Sequence, residues 1–204
     1  MNTYLRFLYA IAVAIALPSL STRADLVVDL SSPQDLTALK VGDTVTIEAT
    51  LGGTTTGDEL NLLSVNILLP ESIFATPTDL TPGVIVPDAA GFTPASIIDS
   101  DGMNHSVLAT YDDSLANTAP ISSDGLFFSF TSSVIGVGSG VIDFDTDFPL
   151  ATGVNTVTNA GIFDATGGPG LAFVSAIPEP SSATTLILIA GIGFCRRGRK
   201  LVGR

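Results

Sequence analysis

From residue 25 to residue 176, apolar and polar side chains alternate with a period of two, as strands buried on one face and wet on the other require. The stretch 44–51 shows it most clearly: Val45, Ile47, Ala49 and Leu51 share one side, and Thr44, Thr46, Glu48 and Thr50 the other. Its β-branched residues suit a pleated, half-buried surface. Leu26, Val28 and Leu30 alternate ahead of it, Gly42-Asp43 supplies the turn that feeds it, and Gly52-Gly53 ends it. In 62–69, Leu63, Val65, Ile67 and Leu69 oppose Leu62, Ser64, Asn66 and Leu68. Apolar residues on both sides predict a central or covered strand. Pro70 then stops the ladder, and Ile73 and Phe74 are expected to fold back onto the edge of the core.

The segment 76–94 reads as a long loop, because Pro77, Pro82, Pro87 and Pro94 interrupt it, with only 84–86 suited to a short edge strand. Three cleaner strands follow. Val107, Ala109 and Tyr111 alternate with Ser106, Leu108 and Thr110; Leu126, Phe128 and Phe130 alternate with Phe127, Ser129 and Thr131. In 141–148, Ile142, Phe144, Thr146 and Phe148 face one way, and Val141, Asp143, Asp145 and Asp147 the other. Residues 156–163 and 171–176 supply the last strands, parted by the turn Gly167-Gly168-Pro169-Gly170. Capped runs of period 3.6 are missing, so helices are expected to be short and incidental. The pattern predicts an all-β domain, a two-sheet β-sandwich or jelly roll.

Both ends depart from this pattern. Residues 1–24 have the anatomy of a secretory signal peptide: Arg6 in the n-region, the apolar run 7–17, then a polar stretch ending at Ala24, after which cleavage is expected. At the other end, Pro178-Glu179-Pro180 precedes the apolar run 183–195 and the basic residues Arg196, Arg197, Arg199, Lys200 and Arg204. Thirteen apolar residues make a helix of roughly 20 Å against a hydrocarbon core of about 30 Å, short for a permanent anchor yet able to halt a translocating chain. The prolines keep Glu179 out of that helix. In order and spacing these three parts resemble the PEP-CTERM sorting signal of bacterial exported proteins, with Ile177 where a valine is usual. The resemblance covers residues 177–204 and implies a membrane transpeptidase-like partner, the exosortase. It also implies a Gram-negative-type host that makes extracellular polysaccharide. The chain thus divides into a signal peptide (1–24), an extracellular domain (25–176) and a sorting tail (177–204) with a short transmembrane helix.

Charge sharpens the picture of the middle part. Lys40 is its single basic residue against nineteen acidic ones, a formal charge of −18. Such a surface repels nucleic acid and anionic headgroups and suits a soluble extracellular protein. Cys195 lies in the apolar tail, so the domain has no disulfide, no cysteine metal site and no thiol nucleophile.

A second resemblance covers nearly all of 25–176. The succession 41–47 (VGDTVTI), 64–74 (SVNILLPESIF), 124–130 (DGLFFSF) and 138–144 (GSGVIDF) is similar to the strand order of cohesin-type domains. That family implies a nine-stranded jelly-roll sandwich that binds partner modules or serves as a surface scaffold. Leu68-Leu69 stands here where the family often has tyrosine–aspartate before its central proline, a departure at the usual partner-binding surface.

Catalytic chemistry finds few tools. His105 is the only histidine, beside Ser106 at the start of a strand, and reads as a polar junction residue. Paired carboxylates are abundant, but a glycosidase or sugar-binding cleft needs aromatic platforms, and the domain has no tryptophan and only Tyr111. Asp143, Asp145 and Asp147 are the sharper candidates, for calcium, with Asp99, Asp101, Asp112 and Asp113 as loop carboxylates. Three carboxylates in line on a strand cannot all reach one ion, and a solvated acidic face that discourages edge pairing is the competing reading. The sequence therefore predicts a non-catalytic exported protein of the cell envelope or exopolysaccharide, structural, adhesive or protein-binding. The alternative is a carbohydrate- or calcium-binding module of the cell surface.

Overall fold

Alternation turns into strands where it was cleanest. In the computed structural model, which describes residues 26–55, 57–98, 102–116, 119–145, 154–158 and 165–177, β1 (Leu26–Ser31) buries Leu26, Val28 and Leu30. β3 (Thr44–Gly52) buries Val45, Ile47, Ala49 and Leu51 and leaves its threonines outward. Between them, Asp35 caps a single 3₁₀ turn at Leu36–Ala38, and the two-residue β2 (Leu39–Lys40) follows. The remaining strands are β4 (Leu60–Pro70), β5 (Thr78–Pro82), β6 (Phe92–Ile98), β7 (Asn104–Asp112), β8 (Gly125–Ser133), β9 (Gly138–Phe144), β10 (Val154–Thr158), β11 (Ala165–Gly167) and β12 (Leu171–Ala176). One four-residue helix, α1 (Asp113–Ala116), interrupts them.

These strands form the two sheets of a sandwich, as the pattern predicts. The first sheet has the order β11-β1-β3-β8-β5, and the second β2-β12-β9-β4-β7-β6 with β10 also beside β4. Pairing is antiparallel except for β1 with β11 and β2 with β12. Fully buried aliphatics from β3, β4 and β7 meet aromatic residues in between: Phe74 stands edge-on to Phe173 at 4.9 Å, and Phe127 edge-on to Phe128 at 5.5 Å. Such contacts add about 0.5–1.5 kcal/mol to area burial. Phe74 and Ile73 do fold back onto the core, Phe74 bridging Val134.

Four expectations need correction. Phe127 belongs to the core and not with Ser129 and Thr131, because the β3–β8 register slips between Ala49 and Thr50. The bulge inserts Phe127 as an unpaired residue and turns two consecutive phenylalanines inward. The edge strand within 76–94 is β5 and not 84–86, where the chain turns and Val84 is 86 % exposed. There a Cβ on Gly83 would run into the Leu126 carbonyl, so only glycine permits the approach to β8. Phe92–Ile98 is a strand despite Pro94, since β6 lies at the sheet edge, where a missing N–H is tolerated. Finally, β9 ends at Phe144, short of the expected 148; residues 146–148 lie outside the described residues.

The end of β9 has a particular geometry. Asp143 and Phe144 pair with Leu68 and Ile67, the Asp145 N–H donates to the Asn66 carbonyl at 3.1 Å, and Val154 then pairs with Val65. β9 and β10 thus run along one edge of β4 in one direction, as a single strand interrupted between Asp145 and Val154.

Candidate functional site

β4 lies centrally, as its two-sided apolar pattern predicts. Its inward residues Leu63, Val65, Ile67 and Leu69 are fully buried. Its outward residues Leu62, Ser64 and Leu68 are half-buried, and Asn66 is buried. Register places Leu108 and Thr110 of β7 beside them on the same outer face, then Asp143 of β9 next to Leu68. Val141 of β9 pairs with Ala172, and Val174 of β12 with Ser139. Val141 and Val174 are 50 % and 46 % exposed. The outer face of this sheet therefore carries a band of Leu62, Leu68, Leu108, Val141, Ala172 and Val174, with few charges.

Polar groups within the band are tied to one another. Ser106 Oγ donates to Asn66 Oδ1 at 2.7 Å, and Asn66 Nδ2 donates to Asp145 Oδ2 at 2.8 Å. All three residues are at most 5 % exposed. Ser64 and Thr110 share a hydroxyl–hydroxyl bond of 2.9 Å. The alternation gave Asn66 as an ordinary outward residue; that it closes the base of the interrupted strand was not legible, because Asp145 lies far along the chain.

The opposite outer face has another character. On β3 and β8, Thr44 pairs with Ser133, Thr46 with Thr131 and Glu48 with Ser129. Hydroxyls of Thr78 and Thr81 on β5 extend the rows to Thr131 and Ser129 at 3.2 and 3.1 Å. Asp79, at φ 53°, accepts from Thr131 Oγ1 at 2.9 Å. This face is a lawn of hydroxyls bonded across the strands.

The candidate metal ligands are not brought together among the described residues. Asp143 is exposed on β9, Asp145 is buried against Asn66, and Asp147 lies outside the described residues, as do Asp99 and Asp101. No group of three or more His, Cys, Asp or Glu with metal-binding geometry occurs among the described residues. Several acids act instead as hydrogen-bond acceptors, some within their own turn and some across the chain. Asp112 takes the Ser114 N–H and hydroxyl at 2.9 and 2.6 Å, and Asp113 takes Asn61 Nδ2 at 2.6 Å. Asp35 accepts from Thr37, whose hydroxyl and then N–H hold its carboxyl below the ordinary carboxylate range. Asp124 is lowered too, first by the Thr54 hydroxyl, partly offset by burial, then by backbone N–H groups.

His105 is 3 % exposed, with its Nε2–H donating to the Phe74 carbonyl at 3.1 Å. Its neighbour Ser106 lies on the outer face bonded to Asn66, so the two do not form a nucleophile–base pair. Tyr111 is fully buried and donates to the Ala119 carbonyl at 2.5 Å, which removes the one tyrosine from any sugar platform. Ala24, Pro178, Glu179, Pro180, Arg196, Arg197, Arg199 and Lys200 lie outside the described residues. Among the described residues no helix is long and apolar enough to cross a membrane.

Comparison with known proteins places this architecture. No protein-family model and no curated protein matches the chain. Solved structures do. The type I cohesin of the Coh-OlpA–Doc918 cohesin–dockerin complex of Clostridium thermocellum superposes with a TM-score of 0.57 at 14 % identity, covering 74 % of this chain and 99 % of that one. The seventh ScaB type I cohesin of Pseudobacteroides cellulosolvens gives 0.56 at 12 % identity over 77 % and 96 %. The sixth scaffoldin B cohesin of Acetivibrio cellulolyticus, in complex with a Cel5 dockerin, gives 0.55 at 12 % over 76 % and 99 %. The β-sandwich built by this chain has the cohesin fold.

Proposed function

We propose that the chain is a non-catalytic, exported interaction module of the cell envelope, whose apolar outer face on β4, β7, β9 and β12 docks another surface protein. The observation that carries this reading is the band of Leu62, Leu68, Leu108, Val141 and Val174 on an otherwise strongly acidic domain. Half-buried leucines with exposed valines beside them are what a partner, and not water, satisfies. The fold supports the reading by analogy, since two of the neighbours above were solved bound to dockerins. Of the two leucines that stand at the position of the family's tyrosine–aspartate pair, Leu69 is buried in the core and Leu68 faces outward, so an apolar side chain is what this position offers a partner. Delivery belongs to the ends of the chain: the leader 1–24 for export, and Pro178-Glu179-Pro180 with the apolar and basic tail for retention and processing by an exosortase-type enzyme.

Quantitative capture from the host's envelope tests the docking face. Leu68→Glu with Leu108→Glu should reduce retention of the partner at least tenfold, the equivalent of about 1.4 kcal/mol. Thr46→Glu with Thr131→Glu on the other sheet should leave it unchanged. Equal loss from both pairs, or from neither, removes the docking face from the proposal. Intact mass of the protein from envelope and medium tests delivery: the expected product starts at Asp25 and ends near residues 178–180, and an uncut 25–204 chain would overturn it.

A further inference from the structure

Two polar groups face into the sandwich from β6 and β7 and find no partner there. On β7, His105 shares the inward side with Val107, Ala109 and Tyr111 and is 3 % exposed. On β6, Ser96 pairs with the fully buried Val107 and so points the same way. It stands two residues along the strand from Ile98, the register partner of His105. Ser96 Oγ and His105 Nδ1 are both buried, and neither has a hydrogen-bond partner among the described residues. Native interiors rarely leave even one such atom bare, and here two lie on the same face of adjacent strands.

Their chemistry is complementary. Because Nε2–H donates to the Phe74 carbonyl at 3.1 Å, Nδ1 of the neutral ring carries a lone pair and can only accept. The Ser96 hydroxyl can donate or accept. Diagonal neighbours on one face of paired strands stand about 7–8 Å apart. The hydroxyl and the ring nitrogen each reach part-way across that distance, yet no hydrogen bond joins them. A water molecule, with a hydrogen bond of about 2.7–3.0 Å on each side, spans what is left. The small serine opposite Val107, on the side of β6 that carries Phe92 opposite Tyr111, leaves it space.

The geometry points to a buried water site between β6 and β7, in which one molecule accepts from the Ser96 hydroxyl and donates to His105 Nδ1. Such internal waters bridge polar groups that the chain itself cannot bring together. The relay from Ser96 through water and His105 to the Phe74 carbonyl ties the edge strand β6, and the turn that folds Phe74 back onto the core, to β7. It also fixes the ring in the Nε2–H tautomer that the Phe74 carbonyl requires. The serine that answers His105 is therefore Ser96, and not its sequence neighbour Ser106, which faces outward to Asn66. With the ring almost wholly enclosed, the pair is a structural relay and not a nucleophile with its base.

A crystal structure of the full exported chain, at a resolution that shows ordered water, tests the site. One water should lie within hydrogen-bond distance of both Ser96 Oγ and His105 Nδ1. It should be lost in Ser96→Val, which removes the hydroxyl and keeps a residue suited to a strand. A dry site, a direct bond between Ser96 and His105, or a water that persists in Ser96→Val overturns the proposal. Ring-nitrogen NMR on the wild-type chain gives a second reading that does not depend on a variant folding. Nδ1 should resonate as a nitrogen that accepts a hydrogen bond, and the ring protons should show an Overhauser contact to a long-lived water. A bare Nδ1, or a ring protonated at Nδ1 in place of Nε2, overturns the proposal equally.

Discussion

The two outer faces of the sandwich are built by the same alternation and have opposite needs. On β3 and β8 every outward position from Thr44 to Glu48 pairs with a serine or threonine, and the hydroxyls bond across to β5. On β4, β7, β9 and β12 the outward positions include Leu68, Leu108, Val141 and Val174. Both sheets cover the same core with equal success. What lies outside the core is thus free to differ, and the difference separates a face finished by solvent from a face that a partner completes.

The largest test of that contrast compares inside with outside on a single strand. Phe173→Ala removes a ring that is 2 % exposed and packed on Phe74, and should cost about 3–5 kcal/mol in denaturant unfolding. Val174→Ser, one residue on and facing outward, should cost under ~0.5 kcal/mol. A large cost at Val174 would mean that the apolar band is sealed within the folded chain itself.

The next compares polar groups on the two faces. Asn66→Ala removes the acceptor of the buried Ser106 hydroxyl and one donor to the buried Asp145 carboxylate, and should destabilise by about 1–3 kcal/mol. It should also speed proteolytic cutting between residues 145 and 154, since the pin at the base of the interruption is lost. Thr131→Ala on the hydroxyl face should stay within ~0.5 kcal/mol. Similar losses at the two sites would erase the distinction between a closed network and a solvated one.

The smallest effect is on the rim of the hydroxyl-faced sheet, where Asp124 precedes β8 and Asp35 follows β1. Both carboxyls titrate below their ordinary range in the folded protein. A depressed folded pKa stabilises fully above the unfolded value, about 3.9, and that stabilisation is lost as pH falls through the lower folded value. Asp124→Asn should therefore cost under ~1 kcal/mol at pH 7, a figure already reduced for solvent screening. Wild type and variant should converge in strong acid. A gap that persists at the lowest pH would show that the Thr54 contact acts through geometry and not charge.

The sequence revealed most where a strand answers only to its own alternation. β3 and β4 were legible because inward residues such as Val45 and Ile67 recur every second position. The aromatic strand misled at Phe127, because a bulge is set by the partner's register and leaves the local pattern unchanged. β5 and β6 were hidden by Pro82 and Pro94, which edge strands tolerate and central ones do not. Of the candidate site, Leu62 and Leu68 already stood out as apolar residues on the wrong side of a strand. The Asn66–Ser106–Asp145 network did not, since each residue is an ordinary polar position until three strands meet.

The interruption of the β9–β10 strand carries one more consequence. Asp145 and Val154 occupy adjacent positions along β4, opposite Asn66 and Val65. Eight residues separate them in the chain, and yet the register along β4 passes from one to the other without a break. Doubling a loop costs only about 0.6 kcal/mol of closure entropy. The gap is a natural socket for foreign sequence: an epitope, a tag or a small folded domain could be spliced in between Asp145 and Val154, and the sandwich would display it without rearranging a single pairing.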